Sequence, residues 1–117
     1  MTDSTILIVT DDAEQRALFS LVLTSRGGYR VDAVADAEHA LERLAEHAYL
    51  LLLTDYELPE MNGPELIALA RQRWPSMRIV LMSNHTHVKE LAAKLAVDGT
   101  FNKIDAFDLP RILQTVL

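Results

Sequence analysis

Asp55 stands where the stretch AYLLLLTDYELPEMNG (48–63) passes from an unbroken apolar run to a turn of proline and glycine. By itself this carboxylate would do no more than begin a polar loop. Three other short apolar runs end in a comparable way: TILIV (5–9) is followed by Thr10, Asp11 and Asp12, RIVLMS (78–83) closes on Ser83, and TFNK (100–103) closes on Lys103. Acids, a hydroxyl and an amine at the ends of four runs form a set whose chemistry depends on their meeting. Carboxylates held close together repel unless a cation neutralises them, and hard oxygen ligands suit a divalent ion such as Mg²⁺, which keeps several waters. A carboxylate is also a nucleophile toward phosphorus. The charge of an incoming phosphoryl group would then be met by the cation, by the Lys103 ammonium and by the Ser83 hydroxyl.

Residues so far apart in sequence meet only if the runs are strands whose ends point the same way. The pattern between the runs supplies this. TILIV is short and β-branched, and positions 13–25 place Ala13, Ala17, Leu18, Leu21 and Val22 on one helical face before RGG (26–28) stops the helix. YRVDAVA (29–35) alternates as a half-buried strand does, and the next helix opens on Asp36 as N-cap with Ala40, Leu41, Leu44 and Ala48 on one side. YLLLLT (49–54) suits a strand buried on both faces. The segment 64–74 follows as a helix with Pro64 in its first turn and Pro75 as its stop. RIVLMS is a fourth strand, 88–97 a fourth helix and TFNK a fifth strand. A closing helix tolerates Pro110 only near its first turn. Five strands alternating with five helices predict an α/β fold, a doubly wound parallel sheet with helices on both faces. Ligands of such sheets bind outside the carboxyl ends of the strands, where the strand order reverses.

Composition bounds the function. The chain of 117 residues, half hydrophobic and about a quarter charged (24%), has the size of one domain, and we expect one domain over 1–117. A net charge of −6 without a Lys/Arg cluster argues against a nucleic-acid or anionic-membrane surface. The absence of cysteine excludes disulfides and thiolate metal sites. No run approaches the length of a membrane span, and the start MTDSTILIV lacks a basic region followed by a long apolar core, so a cytoplasmic location is expected.

Taken together, these residues resemble the receiver domain of two-component response regulators over the whole chain. ILIVTDDAEQR is similar to the family's first strand and acidic turn, and LLLTDYELPEMNG to its phospho-acceptor strand and loop. IVLMS is similar to its hydroxyl position and DGTFNK to its lysine strand. The resemblance implies the flavodoxin-like strand order 2-1-3-4-5. It makes Asp55 the phosphorylated aspartate. Mg²⁺ would be held by the carboxylates of Asp11 and Asp55 and the backbone carbonyl of Glu57, and Ser83 and Lys103 would hold the phosphoryl group. Glu57 and His85, each two residues past a site residue, would tune the lifetime of the acyl phosphate. The phosphoryl donor implied is a sensor histidine kinase or phosphotransfer protein. A target protein would dock on the face of the fourth helix, fifth strand and fifth helix. Such a domain is a switch with at most slow autodephosphorylation, not an enzyme.

Three positions depart from the family pattern. Thr10 occupies the place of the first of two acids, which predicts weakened Mg²⁺ binding, while Asp12 is expected to cap the first helix. Thr100 stands where the family often carries an aromatic switch residue, and strand alternation turns the adjacent Phe101 to the opposite face. Lys103 is followed by Ile104 in place of proline, so no cis peptide is expected there. His39 and His47 are read as solvated and Trp74 as helix-end packing. Two other functions fit part of the pattern: a degenerate receiver that binds a partner without phosphorylation, and a small haloacid-dehalogenase-like phosphatase. The phosphatase family places its second acidic cluster after the nucleophile, whereas here the acids come before it.

Overall fold

The computed structural model describes residues 5–83 and 88–117. Its elements follow in the order β1 (Thr5–Val9), α1 (Ala13–Ser25), β2 (Arg30–Val34), α2 (Ala37–Glu46), β3 (Leu51–Asp55), α3 (Gly63–Arg73), β4 (Arg78–Ser83), α4 (Val88–Leu95), β5 (Gly99–Asn102), a 3-10 helix (Lys103–Asp108) and α5 (Leu109–Val116). The five strands form one sheet in the order β2-β1-β3-β4-β5, all pairs parallel. The expected architecture and strand order are therefore those observed.

Side-chain alternation divides the core between the two faces of the sheet. Leu7 and Val9 of β1, Leu52 of β3 and Ile79 and Leu81 of β4 face α2 and α3. Their neighbours Ile6, Ile8, Leu51, Leu53, Val80 and Met82 face α1 and α5. Every residue of β3 is buried, as a central parallel strand requires. Leu51, Leu52 and Leu53 are fully excluded from solvent, each contributing roughly 1.5–3 kcal/mol relative to exposure.

Helix starts are fixed by local chemistry. Asp12 caps α1 by accepting from the amides of Glu14 and Gln15 at 2.9 and 3.2 Å, as expected. Asp36 caps α2 through the His39 amide at 2.8 Å. Asn62 caps α3 through the Glu65 amide at 3.0 Å, with Pro64 in the first turn. Trp74 follows α3 and packs partly buried against the α2–α3 side of the core.

Several expectations need correction. The face of α1 that enters the core is Phe19, Val22 and Leu23, whereas Leu18 and Leu21 are exposed, Leu21 by 62%. Its stretch ALFSLVL (17–23) is apolar on both flanks, so periodicity alone could not tell the inner face from the outer one. Helix α2 ends at Glu46, leaving Ala48 outside it and exposed. Strand β3 begins at Leu51: Tyr49 and Leu50 lead into it, and the Tyr49 hydroxyl donates to Asp32 at 2.6 Å. The last helical segment opens with a 3-10 turn that already contains Lys103, so the lysine follows β5 without belonging to it.

Candidate functional site

The carboxyl ends of the strands carry all the buried polar or charged residues among those described, Thr10, Thr54, Asp55 and Ser83. Register explains why Thr10 and Asp55 are neighbours. Val9 pairs with Thr54, so the next residues along the two parallel strands, Thr10 and Asp55, lie side by side on one face. The Thr10 hydroxyl accordingly donates to Asp55 Oδ2 at 3.2 Å. Phe101 lies on the α1–α5 side of the sheet, and two residues on, Lys103 delivers its ammonium to the same Oδ2. The Lys103 and Asp55 side chains are 11% and 6% exposed. A pair this sheltered is held by charge, and removing one partner would leave the other uncompensated.

The loop after Asp55 is drawn back over the sheet. The Tyr56 amide donates to the Met82 carbonyl at 3.0 Å and the Gly63 amide to the Tyr56 carbonyl at 2.9 Å. Gly63 is required by this close approach, because a Cβ there would overlap the carbonyl oxygen of Asp55 itself. On the other side, Thr10 is fixed by its amide bond to the Val34 carbonyl at 3.2 Å and by Arg16 Nη1, which donates to the Thr10 carbonyl at 2.8 Å.

The result is a cleft of about 630 Å³ lined by Asp11, Asp12, Gln15, Asp55, Tyr56, Glu57, Leu58, Pro59, Ser83 and Lys103. Of the residues expected to act together, Asp11, Asp55, Glu57, Ser83 and Lys103 all reach it. Thr100 does not: it is half-buried within β5, paired with Leu81. Phe101 is buried on the opposite face against Phe19, edge to face at 5.5 Å, as strand alternation requires. His85 lies outside the described residues. No peptide bond of the described residues is cis. Sequence reasoning missed Gln15 and the direct contact of Thr10 with Asp55. Neither has a sequence signal, since both depend on register and on the pitch of α1. A larger depression of about 800 Å³ at the opposite edge of the sheet, whose lining includes Leu44, Tyr49, Arg73 and Trp74, lies away from this polar set.

The donor chemistry suits a hydrated divalent ion. Asp11, Asp55 and Glu57 all line one cleft, and Mg²⁺ commonly takes one or two carboxylates and completes its shell with water. Among the described residues no three His, Cys, Asp or Glu side chains are grouped as a protein-built metal cage. Asp12 is spent on the helix cap, and Thr10 adds no charge.

A doubly wound parallel sheet in the order 2-1-3-4-5, with a buried acid–lysine pair and a hydroxyl at its carboxyl rim, defines an α/β domain of the flavodoxin-like type. The family model described as "Response regulator receiver domain" matches residues 6–116, and the chain belongs to that family, the receiver domains of two-component response regulators. It is 31% identical over 111 residues to the response regulator protein FleR of Pseudomonas aeruginosa, covering 95% of this chain and 23% of FleR. It is also 31% identical over 118 residues to the two-component response regulator ORR5 of Oryza sativa, covering 96% of this chain and 87% of ORR5. The chain thus spans about a quarter of the first relative and most of the second. Among solved structures, the response regulator TrrA of Thermotoga maritima, crystallised in complex with Mg²⁺-BeF, superposes with a TM-score of 0.88 at 25% identity, over 97% of this chain and 99% of that one. The family is generally not one of catalytic enzymes, and its members pair with histidine kinases. Among the described residues no helix is long and apolar enough to cross a membrane.

Proposed function

We propose that Asp55 accepts a phosphoryl group from a phosphohistidine on a sensor kinase or phosphotransfer protein, and that the acyl phosphate switches a protein-docking surface. The observation that carries this reading is the buried Asp55–Lys103 pair in a cleft shared with Ser83 and Asp11. An oxygen of the Asp55 carboxylate attacks phosphorus, the P–N bond breaks, and its electron pair returns to the imidazole. Lys103 follows the growing charge on the phosphoryl oxygens and Ser83 donates a hydrogen bond to them. Asp11, Asp55 and the Glu57 carbonyl are the residues that would hold Mg²⁺. When bound, the ion would neutralise phosphoryl charge that Lys103 alone cannot.

Glu57 flanks the acceptor and sets the access of water to the acyl phosphate, a role assigned also to His85. The surface of α4, β5 and α5 receives the target, with the half-buried Thr100 replacing an aromatic reporter. The domain acts in the cytoplasm as a phosphorylated switch, over the whole of residues 1–117. Its dephosphorylation is slow and incidental.

Incubation with acetyl phosphate and Mg²⁺, followed by intact mass, tests this. A labile adduct of one phosphoryl group, absent in Asp55→Asn, is expected. Continuous hydrolysis without an adduct would point to a phosphatase. No adduct at all would favour phosphorylation-independent binding, the reading that Thr10 in place of an acid supports.

A further inference from the structure

We infer that Thr10 is a positioning residue for Asp55, whose hydroxyl supplies part of the hold on the acceptor that a cation would otherwise supply and so lowers the dependence of the site on a divalent ion. This rests on the reading of Asp55 as phospho-acceptor.

Thr10 is fully buried, and its main chain is held on both sides by the β2 ladder and by Arg16. Its hydroxyl is therefore preset and loses little freedom in making a bond. Three groups surround the oxygen: Asp55 Oδ2 at 3.2 Å, Gln15 Oε1 at 3.3 Å and the Asp12 amide at 3.3 Å. The amide donates to it, and the single hydroxyl proton must choose between a carboxylate and a neutral amide oxygen. Hydrogen bonds to an ionised acceptor are about twice as strong as neutral ones, so the proton goes to Asp55.

An acid at this position would instead place a third carboxylate beside Asp11 and Asp55, with Lys103 as the ammonium facing them. Like charges so close repel unless a cation joins them. Threonine turns that repulsion into an attraction. The acceptor is then compensated by Lys103 and Thr10 on the same oxygen. A phosphoryl group on Asp55 keeps a neutral donor at its base whether or not metal is present.

The probe is beryllium fluoride, titrated with and without saturating Mg²⁺ and read by NMR, on the wild type and on Thr10→Ser, Thr10→Val and Thr10→Asp. Melting temperature against Mg²⁺ is a second readout. Mg²⁺ should raise beryllium fluoride affinity by a factor roughly tenfold smaller in the wild type than in Thr10→Asp. Thr10→Val should bind roughly tenfold more weakly than the wild type at either metal level, the size of one hydrogen bond to a charged group, and Thr10→Ser should match the wild type. Without metal, Thr10→Asp should melt below the wild type and recover on adding Mg²⁺. Equal binding by Thr10→Val and the wild type would overturn the inference, as would identical Mg²⁺ responses of the wild type and Thr10→Asp. Should Thr10→Val not fold, the serine and aspartate variants decide. If acetyl phosphate leaves no adduct on the wild type, the acceptor reading falls separately. The melting comparison then still decides the role of Thr10.

Discussion

Two carboxylates at opposite edges of the sheet, Asp55 and Asp98, are both joined to a basic side chain, and they do different work. Asp98 precedes β5 at the amino edge. Its Oδ2 accepts from Arg71 Nη2 at 2.5 Å and from the Ile79 amide at 2.8 Å, and its Oδ1 from Arg78 Nη1 at 3.5 Å. The Arg71 guanidinium also donates to the Met77 carbonyl at 2.6 Å and the Ala96 carbonyl at 3.2 Å, tying the end of α4 to the start of β4. This is a closed network of charge and peptide groups. Asp55 lines an open cleft and is met by a single lysine and a hydroxyl. An acid surrounded by peptide donors fixes connections. One that shares its ammonium with a cavity has room beside it for a ligand.

The sharpest way to break the comparison is to exchange what each acid loses. Asp98→Ala strands Arg71, Arg78 and the Ile79 amide and should cost about 2–4 kcal/mol, lowering the melting temperature by about 10 °C or more, while the folded variant still forms the acetyl phosphate adduct. Asp55→Asn should do the reverse. The adduct disappears while the fold persists: Lys103 loses its counter-charge, but the amide oxygen still accepts from Lys103 and Thr10, so the loss should be about 1–2 kcal/mol, below that of Asp98→Ala. If Asp98→Ala left melting unchanged, the amino-edge network would be ornament.

Acid should separate the edges next. Burial pushes the Asp98 carboxyl up, but the Ile79 amide, the Arg71 hydrogen bond and the charges of Arg71 and Arg78 outweigh it and hold the group below the ordinary 3.8. A carboxylate lowered on folding contributes stability above its unfolded pKa and loses it as pH falls through the folded one. The wild type should therefore lose stability on acidification below about pH 4. Asp98→Asn, measured by denaturant unfolding across that range, should show a shallower fall.

The smallest effect belongs to a third, exposed acid. Asp36 accepts from the His39 amide and ring, with Nδ1 at 2.8 Å from Oδ1. The side-chain hydrogen bond and charge of Asp36 raise His39 above the ordinary 6.5. This contribution is complete below the unfolded value and lost as pH rises through the folded one. NMR titration of His39 should show the raised value, and Asp36→Asn should return it toward 6.5 with little change in melting.

The architecture was legible in the sequence because a fully buried parallel strand has a plain signature. Strands β1 and β4 fall where the apolar runs 5–9 and 78–83 predict. Asp12, Asp36 and Pro64 marked the helix starts by chemistry that needs no tertiary contact. The carboxyl rim was legible once the strands were parallel, since Asp11, Asp55, Ser83 and Lys103 all follow from that single geometry. What sequence could not supply was the sidedness of α1, apolar on both flanks, or the pairing of Thr10 with Asp55, which needs the register of β1 against β3. The Arg71–Asp98 network was equally hidden: it joins residues 27 positions apart, with β4 and α4 between them.

Gly63 gives Asp55 a steric tolerance of less than one methyl group. Its missing side chain lets the first turn of α3 rest against the peptide of Asp55, with the Tyr56 carbonyl 2.9 Å from where a Cβ would be. The main chain of Asp55 is thus gauged by a helix and not by a loop. The depth at which Asp55 is presented is a property of the scaffold, set before any visitor enters the cleft.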